Sequence, residues 1–338
     1  MLKFISKLCL VGAIGLLTIT GCDNGKSFEP QQTFKLNTKV TSYNSKIIDQ
    51  SRYGATLQDG HFIDKNGVSS ITLPKGFRYI NSTDSKVLCS DMQGIRIIDK
   101  KTGRYNDVNT SSPIVSATLK NNLIAYISND NAFGLYSLKH KKKIVEIPTG
   151  NSFAINTKAA APMFVDNLAV MPMLDGKLVI VDINNVENSN VVYISSKNVF
   201  NNVIYLSRVG DTLVAATPIR LMTLSEVGEK EYVADIADIT INGRYIYVFD
   251  KDGTISKLDT TLQTISSTKF EFARYSAVSA FDNKVVALDK NGALIVMDSS
   301  LHKYRIYDIG EVEEPVYIYK NRLYKDGNII DLSLISYE

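Results

Sequence analysis

The stretch Val87-Leu-Cys-Ser-Asp-Met-Gln-Gly94-Ile-Arg-Ile-Ile-Asp99 consists of two apolar segments separated by a short polar turn. Its aliphatic and β-branched residues are typical of strands. A turn that carries Asp and Gly supplies the backbone angles that a tight connection between antiparallel strands requires. The stretch therefore predicts a β-hairpin whose turn is centred just before Gly94.

The same pattern recurs along the rest of the chain. Clear copies span 168–182, 245–259 and 285–298, and weaker copies surround Gly60, Gly134, Pro218 and Gly327. The turns near 60, 94, 134, 176, 219, 253, 292 and 327 are spaced by about 38 residues. A repeat of roughly 40 residues that contains a hairpin and a further strand on each side is typical of a β-propeller.

The predicted fold class is therefore all-β, a β-propeller of four-stranded blades that occupies residues 33–338. Eight turns predict eight blades, and seven remain open if the weak first or last copy is not a full sheet. Two separate all-β domains are the alternative. Residues 113–147 illustrate one blade, with strands over 113–118, 123–127, 133–138 and 144–147. We expect residues 33–40 to close the ring by pairing with a last blade that ends in a strand over 333–337.

The N-terminal residues resemble those of bacterial lipoproteins. A basic start is followed by an apolar run from Leu8 to Ile19 and then by Thr20-Gly21-Cys22, which resembles a lipobox. The resemblance implies that residues 1–21 are a signal peptide cleaved between Gly21 and Cys22, and that Cys22 carries the lipid. Residues 22–32 would then form a lipidated, flexible tether. An ordinary secretory signal that happens to contain a cysteine is the alternative.

Lipidation implies a location in the cell envelope, anchored to a membrane and facing the periplasm. An outer-membrane location is favoured. Asp23 leaves the inner membrane open, since an aspartate after the lipidated cysteine resembles the inner-membrane retention signal of enteric bacteria. The anchor makes the membrane itself one partner of the protein.

Composition excludes several other classes. The formal charge is +3, from 38 basic and 35 acidic residues, so no nucleic-acid partner is indicated. Three cysteines and three widely separated histidines provide neither a disulfide framework nor a zinc motif. We therefore predict no metal site.

The segment from Ser90 to Gly103 resembles the repeat of quinoprotein-like propellers, a family that includes quinone-dependent dehydrogenases and a propeller lipoprotein of the outer-membrane β-barrel assembly machinery. The dehydrogenases of this family use repeat tryptophans, a vicinal disulfide and a calcium-bound aspartate. This chain has no tryptophan and no vicinal cysteine pair. We therefore expect no quinone or other cofactor, no catalytic residues and no enzymatic activity.

Residues that could carry chemistry have structural interpretations. The recurring aspartates are assigned to turn geometry because they repeat at equivalent positions; they are Asp91, Asp175 and Asp252 at the turns and Asp99, Asp182, Asp259 and Asp298 after the second hairpin strands. Cys89 is predicted to be buried on a strand. The basic run 139–143 is assigned to a solvated hairpin turn and the acidic residues Glu311, Glu313 and Glu314 to a loop.

These inferences predict a non-enzymatic, lipid-anchored scaffold in the periplasm. The family resemblance implies partners within an envelope protein complex, above all the insertase of outer-membrane β-barrel assembly. An enzyme or small-molecule-binding propeller with a site in the central funnel is one alternative. A structural or sensor component of another envelope complex is the other.

Overall fold

The computed structural model describes residues 26–150, 152, 158–196 and 201–338, and it forms a ring of eight antiparallel sheets. Eight apolar clusters are found among these residues, and each contains side chains from two neighbouring sheets. No sheet therefore buries its own core, which is the physical reason why the blades must close into a ring. The all-β propeller and the count of eight blades, rather than seven, are confirmed.

Two short strands precede the first blade, β1 (Phe34–Lys35) and β2 (Val40–Ser42). Blades 1 to 4 then follow in chain order. Blade 1 contains β3 (Ile47–Ser51), β4 (Gly54–Leu57), β5 (Phe62–Asp64) and β6 (Gly67–Val68). Blade 2 contains β7 (Arg78–Ser82), β8 (Lys86–Ser90), β9 (Gly94–Asp99) and β10 (Tyr105–Asn109). Blade 3 contains β11 (Ile114–Lys120), β12 (Leu123–Ser128), β13 (Ala132–Ser137) and β14 (Lys142–Pro148). Blade 4 contains β15 (Met163–Val165), β16 (Leu168–Pro172), β17 (Lys177–Asp182) and β18 (Asn185–Tyr193).

Blades 5 to 8 complete the ring. Blade 5 contains β19 (Tyr205–Val209), β20 (Thr212–Thr217), β21 (Arg220–Ser225) and β22 (Gly228–Val233). Blade 6 contains β23 (Ile236–Asn242), β24 (Tyr245–Asp250), β25 (Thr254–Leu258) and β26 (Thr264–Lys269). Blade 7 contains β27 (Tyr275–Phe281), β28 (Lys284–Asp289), β29 (Ala293–Asp298) and β30 (Tyr304–Asp308). Blade 8 contains β31 (Tyr317–Tyr319), β32 (Arg322–Lys325) and β33 (Asn328–Asp331), with β2 as its fourth strand.

In most blades, burial is greatest in the second and third strands and least in the fourth. The second strand β24 is almost entirely buried, whereas the fourth strands β18 and β22 are mostly exposed. First strands of neighbouring blades contact one another, as β7 contacts β3 and β11, so the first strands line the central channel and the exposed fourth strands form the outer rim. Because consecutive strands are antiparallel, the turns after the first and third strands open on one face of the ring. The turns after the second strand and the connections between blades open on the other face, here called the entry face.

The ring closes differently from the sequence-based expectation. The closing strand is β2, which pairs antiparallel with β33, whereas β1 adds a fifth, parallel strand to the rim of blade 7. The expected last strand over 333–337 is wrong. The Asp331 carboxylate accepts hydrogen bonds from the Ser333 N–H and hydroxyl, which turns the chain, and Ile335 is then buried between blades 7 and 8.

Aromatic rings other than tryptophan fill several contacts between blades. Phe62 of blade 1 stacks on Tyr79 of blade 2 with ring centroids 5.0 Å apart. Phe249 of blade 6 meets Tyr275 of blade 7 edge to face at 5.5 Å. Such pairs add to the burial of apolar area. Among the described residues, no helix has the length and apolar character needed to cross a bilayer.

Candidate functional site

The entry face carries a funnel at the mouth of the central channel, on the side of blades 1 to 3. It is a depression of about 640 Å³ whose walls include Ile48, Phe77, Met92, Pro113 and Val115. Ile48 is 59% exposed and Met92 is 78% exposed, although both are apolar. Exposed apolar groups around a concave surface are typical of binding sites.

Three charged side chains, Asp49, Arg78 and Asp91, lie in the walls of this funnel. Asp49 follows Ile48 on the first strand of blade 1, and burial raises the pKa of its carboxyl above the ordinary value, while the nearby Arg78 opposes the change. The Arg78 guanidinium donates a hydrogen bond to the carbonyl of Ile114 in blade 3. The funnel therefore presents two carboxyls and one guanidinium within a largely apolar wall.

The floor of the funnel is formed by the first hairpin of blade 1, which is shorter than that of blade 6. After its bulge this hairpin has three residue pairs, ending at Ser51 and Gly54, whereas the first hairpin of blade 6 has five. The turn is thus recessed by about 7 Å, at about 3.4 Å per residue. Only glycine fits at position 54, at the end of this short hairpin. A Cβ atom there would lie 2.1 Å from the Ile63 carbonyl oxygen and 2.4 Å from the Tyr79 ring.

The two turn residues, Arg52 and Tyr53, reach across the channel. The Arg52 guanidinium lies 5.0 Å from the ring centroid of Tyr205 in blade 5, which is opposite blade 1 in a ring of eight. Its Nη2 atom donates to Asp238 Oδ1 of blade 6 at 2.8 Å. The Tyr53 hydroxyl accepts a hydrogen bond from the Ala161 N–H before blade 4, at 2.9 Å. One turn thus bridges four blades and closes the channel beneath the funnel.

A second cation completes this cross-ring cluster, defined here as Arg52, Lys158 and Asp238. Lys158 Nζ lies 2.6 Å from Asp238 Oδ2, and the Asp238 side chain is only 8% exposed. Burial by itself would raise the pKa of Asp238, but the two cations hold it well below the ordinary range for a carboxyl. Asp238 is therefore ionised at any physiological pH. A small cavity of about 70 Å³ remains beside the cluster.

The structure assigns the recurring aspartates to turns. Asp91 accepts hydrogen bonds from the N–H groups of Gln93 and Gly94, and Asp99 accepts them from Lys101 and Thr102. Equivalent bonds to following N–H groups involve Asp182, Asp252, Asp259 and Asp298. Asp175 differs, because its carboxylate pairs with Lys177 at 2.6 Å. Within the part of the chain that the structure describes, no group of His, Cys, Asp and Glu side chains could hold a metal ion.

The other residues considered from sequence lie apart from the funnel. Cys89 is buried between blades 1 and 2, and burial raises the pKa of its thiol to about 12, so it is unreactive at neutral pH. The basic run includes the exposed turn between β13 and β14, as predicted. Glu311, Glu313 and Glu314 lie in the connection to blade 8, where Glu314 pairs with Lys46. Gly21 and Cys22, the predicted cleavage and lipid sites, lie outside the described residues.

Sequence reasoning missed the residues that form the funnel and its floor, because each belongs to a different repeat. One signal was available at blade 1. Ser51-Arg52-Tyr53-Gly54 places two long side chains in a hairpin turn where the first hairpins of blades 3, 4 and 7 have two short polar residues, Asn121-Asn122, Asp166-Asn167 and Asp282-Asn283.

A buried carboxyl in blade 6 provides a test of the electrostatics outside the funnel. Asp250 is 9% exposed, its Oδ1 atom has no hydrogen-bond partner, and burial together with Asp252 and Asp235 raises its pKa from 3.8 to about 7. A carboxyl whose pKa is raised by folding binds its proton more tightly in the native state. It therefore reduces the stability of the protein as the pH rises from about 4 to about 7.

We expect Asp250→Asn to be more stable than the wild type at pH 8, by on the order of 2 kcal/mol, and nearly equal to it at pH 4. Urea unfolding at the two pH values measures this difference. The matched control is Asp289→Asn at the equivalent position of blade 7, where the carboxylate accepts hydrogen bonds from Arg274 N–H and Asn291 N–H. That variant should lose stability at pH 8. A stability gain of Asp250→Asn that is the same at both pH values would contradict the assignment.

Comparisons with known proteins agree with this fold. No family model matches the chain. The plasminogen-binding protein PgbB of Helicobacter pylori, found in two strains, is 27% identical over 395 aligned positions, which cover 97% of this chain and 71% of the relative.

Similar solved structures are also propellers. BamB from Moraxella catarrhalis superposes with a TM-score of 0.64 at 15% identity, over 86% of this chain and 99% of that one. Sqt1 from Saccharomyces cerevisiae gives a TM-score of 0.63 at 11% identity, over 88% of this chain and 98% of that one. At such identities these likenesses show the fold alone: this protein is a BamB-like β-propeller in architecture.

Proposed function

We propose that this protein is a lipid-anchored, non-enzymatic scaffold of the cell envelope that binds another protein at the mouth of its funnel. The observation that carries the proposal is the exposed apolar rim formed by Ile48 and Met92 above a closed floor. Apolar groups at the centre of a contact, surrounded by polar groups, supply most of the affinity in protein interfaces. The funnel is wide enough to receive a side chain or a loop of a partner.

The groups lining the funnel favour binding over catalysis. None of the histidines His61, His140 and His302 lines it. Its Ser90 hydroxyl donates to the Ile114 carbonyl. No imidazole accompanies its Asp49 and Asp91 carboxyls, and the Asp91 carboxylate already accepts hydrogen bonds from the Gln93 and Gly94 N–H groups. Below them, the cross-ring cluster closes the channel, so a ligand would enter and leave through the same mouth.

For the partner, we propose the insertase of the outer-membrane β-barrel assembly machinery. The support is the lipobox-like segment ending at Cys22 together with a fold like that of BamB. The protein would face the periplasm. The outer membrane is the favoured location, and Asp23 keeps the inner membrane as the alternative.

A second candidate partner is plasminogen. It is favoured by the similarity to PgbB, which extends over 97% of this chain and so includes every blade. Binding to a soluble host protein would require the propeller to be accessible at the cell surface, whereas the insertase partner requires the periplasm. The two candidates therefore predict different partners and different locations for the same funnel.

We expect the barrel insertase to co-purify with the wild-type protein from detergent-solubilised membranes. In the double variant Ile48→Asp/Met92→Asp its recovery should fall at least about ten-fold, because two charges would lie in the apolar rim, and about 1.4 kcal/mol of lost affinity suffices for that factor. Quantitative mass spectrometry of the captured material measures the recovery. The control is Val233→Asp, which changes an exposed valine on the rim of blade 5.

A parallel arm measures binding of purified plasminogen to the same three proteins. The second candidate would be supported if the wild type binds plasminogen, the Ile48→Asp/Met92→Asp variant does not, and the insertase is not recovered. Equal recovery of the insertase by all three proteins would refute the funnel as its binding site. Recovery of neither partner by the wild type would refute the proposed function.

A further inference from the structure

The first described residues of the chain are fixed against the ring between blades 6 and 7. Phe28 packs edge to face on Phe270 with ring centroids 5.8 Å apart, and Phe270 packs in the same way on Tyr304 at 5.0 Å. Lys26 Nζ lies 5.3 Å from the ring centroid of Phe272. The N-terminal segment therefore meets the propeller as early as Lys26.

This position limits where a lipid on Cys22 can be. Only four residue steps separate Cys22 from Lys26. A fully extended chain of that length spans at most about 14 Å. An acylated Cys22 would therefore bring the membrane surface to this part of the ring, and not to the opposite blade 2.

The surface at this point has the composition of a site for lipid headgroups. Four basic and two acidic side chains border a depression of about 510 Å³: Lys26, Lys251, Lys269, Arg274, Asp252 and Glu271. Lys251 and Lys269 pair with Asp235 and Asp252. Among the described residues, the side chains of Lys26 and Arg274 have no carboxylate partner, and both are exposed.

An apolar group stands between these two cations. Phe272 is 43% exposed and has a φ angle of +67°, a conformation that bulky residues rarely adopt. Backbone strain that holds a large aromatic side chain in solvent points to a functional contact. Aromatic rings flanked by basic residues favour the interface between lipid headgroups and acyl chains.

We propose that Lys26, Phe272 and Arg274, with the depression they border, form a membrane-docking surface for anionic lipid headgroups. The inference rests on the proposed lipidation of Cys22, and it adds an orientation to that anchor. Blades 6 and 7 lie on the bilayer, with Phe272 inserted and the two cations on the headgroups. Because residues 251–252 follow a second strand and residues 270–274 connect two blades, this surface belongs to the entry face, and the funnel opens on the same face at blades 1 to 3, away from the point of attachment.

The absence of tryptophan from the sequence supplies a direct test. Phe272→Trp introduces a single tryptophan, excited selectively over the tyrosines, into the acylated protein, which is reconstituted into vesicles of phosphatidylcholine and phosphatidylglycerol (7:3) that contain brominated acyl chains. We expect at least three-fold stronger quenching of this tryptophan than of Tyr105→Trp. Tyr105 is 57% exposed on the rim of blade 2, opposite blade 6. In the Phe272→Trp protein, the further substitutions Lys26→Ala and Arg274→Ala should at least halve the quenching of the tryptophan. The acyl chains should still hold this variant on the vesicles.

Two failures can be distinguished. Mass spectrometry of the N-terminal peptide measures the acylation of Cys22. If the peptide carries no acyl groups, both the lipid anchor and the docking surface are refuted. An acylated, vesicle-bound protein whose tryptophan at position 272 is quenched no more than that at position 105 overturns the docking surface alone. If Phe272→Trp does not fold, Glu271→Trp places the reporter on the adjacent exposed residue and is held to the same criterion.

Discussion

The Asp238→Ala protein is expected to be less stable than the wild type by about 3 kcal/mol, because the substitution leaves two largely buried cations without their shared carboxylate. Arg52 and Lys158 both bind Asp238, at 2.8 and 2.6 Å, and their side chains are 14% and 23% exposed. Water cannot replace the lost carboxylate easily at such burial. Equilibrium unfolding in urea, followed by far-ultraviolet circular dichroism, measures the loss.

An exposed ion pair provides the control for this effect. Asp84 pairs with Lys65 at 2.6 Å, but its side chain is 90% exposed. Asp84→Ala should leave the stability nearly unchanged, because exposed ion pairs contribute little to it. The triple variant Arg52→Leu/Lys158→Met/Asp238→Leu should recover part of the loss of Asp238→Ala, since it leaves no unpaired charge. An Asp238→Ala protein as stable as Asp84→Ala would show that the cluster does not hold the ring together.

The second large effect is expected at Gly253, in the turn between β24 and β25. Its φ angle is +86°, and a Cβ atom there would lie 1.9 Å from the Phe270 carbonyl oxygen. That oxygen cannot move away freely, because the Phe270 N–H donates a hydrogen bond to the Gly253 carbonyl at 3.0 Å. Gly253→Ala combines a left-handed backbone with a steric clash, so we expect a loss of about 3–4 kcal/mol.

Gly243 separates the two contributions. It also has a positive φ angle, +60°, but a Cβ atom there would meet nothing within 4 Å. Gly243→Ala should therefore cost only about 1–2 kcal/mol, from the backbone conformation. Thermal unfolding of the two variants side by side measures the difference. Equal losses would mean that the close approach to Phe270 is relaxed at no cost.

The hairpins and their number were predictable from the sequence because their determinants are local. The turn of the hairpin from Val87 to Asp99 is specified by residues within it, and the carboxylate of Asp91 bonds to N–H groups two and three residues on. The same hairpin pattern repeats about every 38 residues, so the number of repeats also predicts the number of blades. The blade over 113–147 agrees with the observed strands to within two residues at nearly every boundary.

The funnel, the cross-ring cluster and the closing strand were decided only by the tertiary structure. Arg52 and Asp238 are 186 residues apart in the sequence. They meet because the ring closes and because the first hairpin of blade 1 is two residue pairs shorter than that of blade 6. The position of Lys26 beside Phe272 depends in the same way on β1 and β2 returning to blades 7 and 8. A local pattern specifies which residues form a hairpin, whereas contacts across a ring depend on the summed geometry of all its blades. The sequence by itself thus determined the propeller, and the three-dimensional closure of that propeller determined which side chains form its functional surfaces.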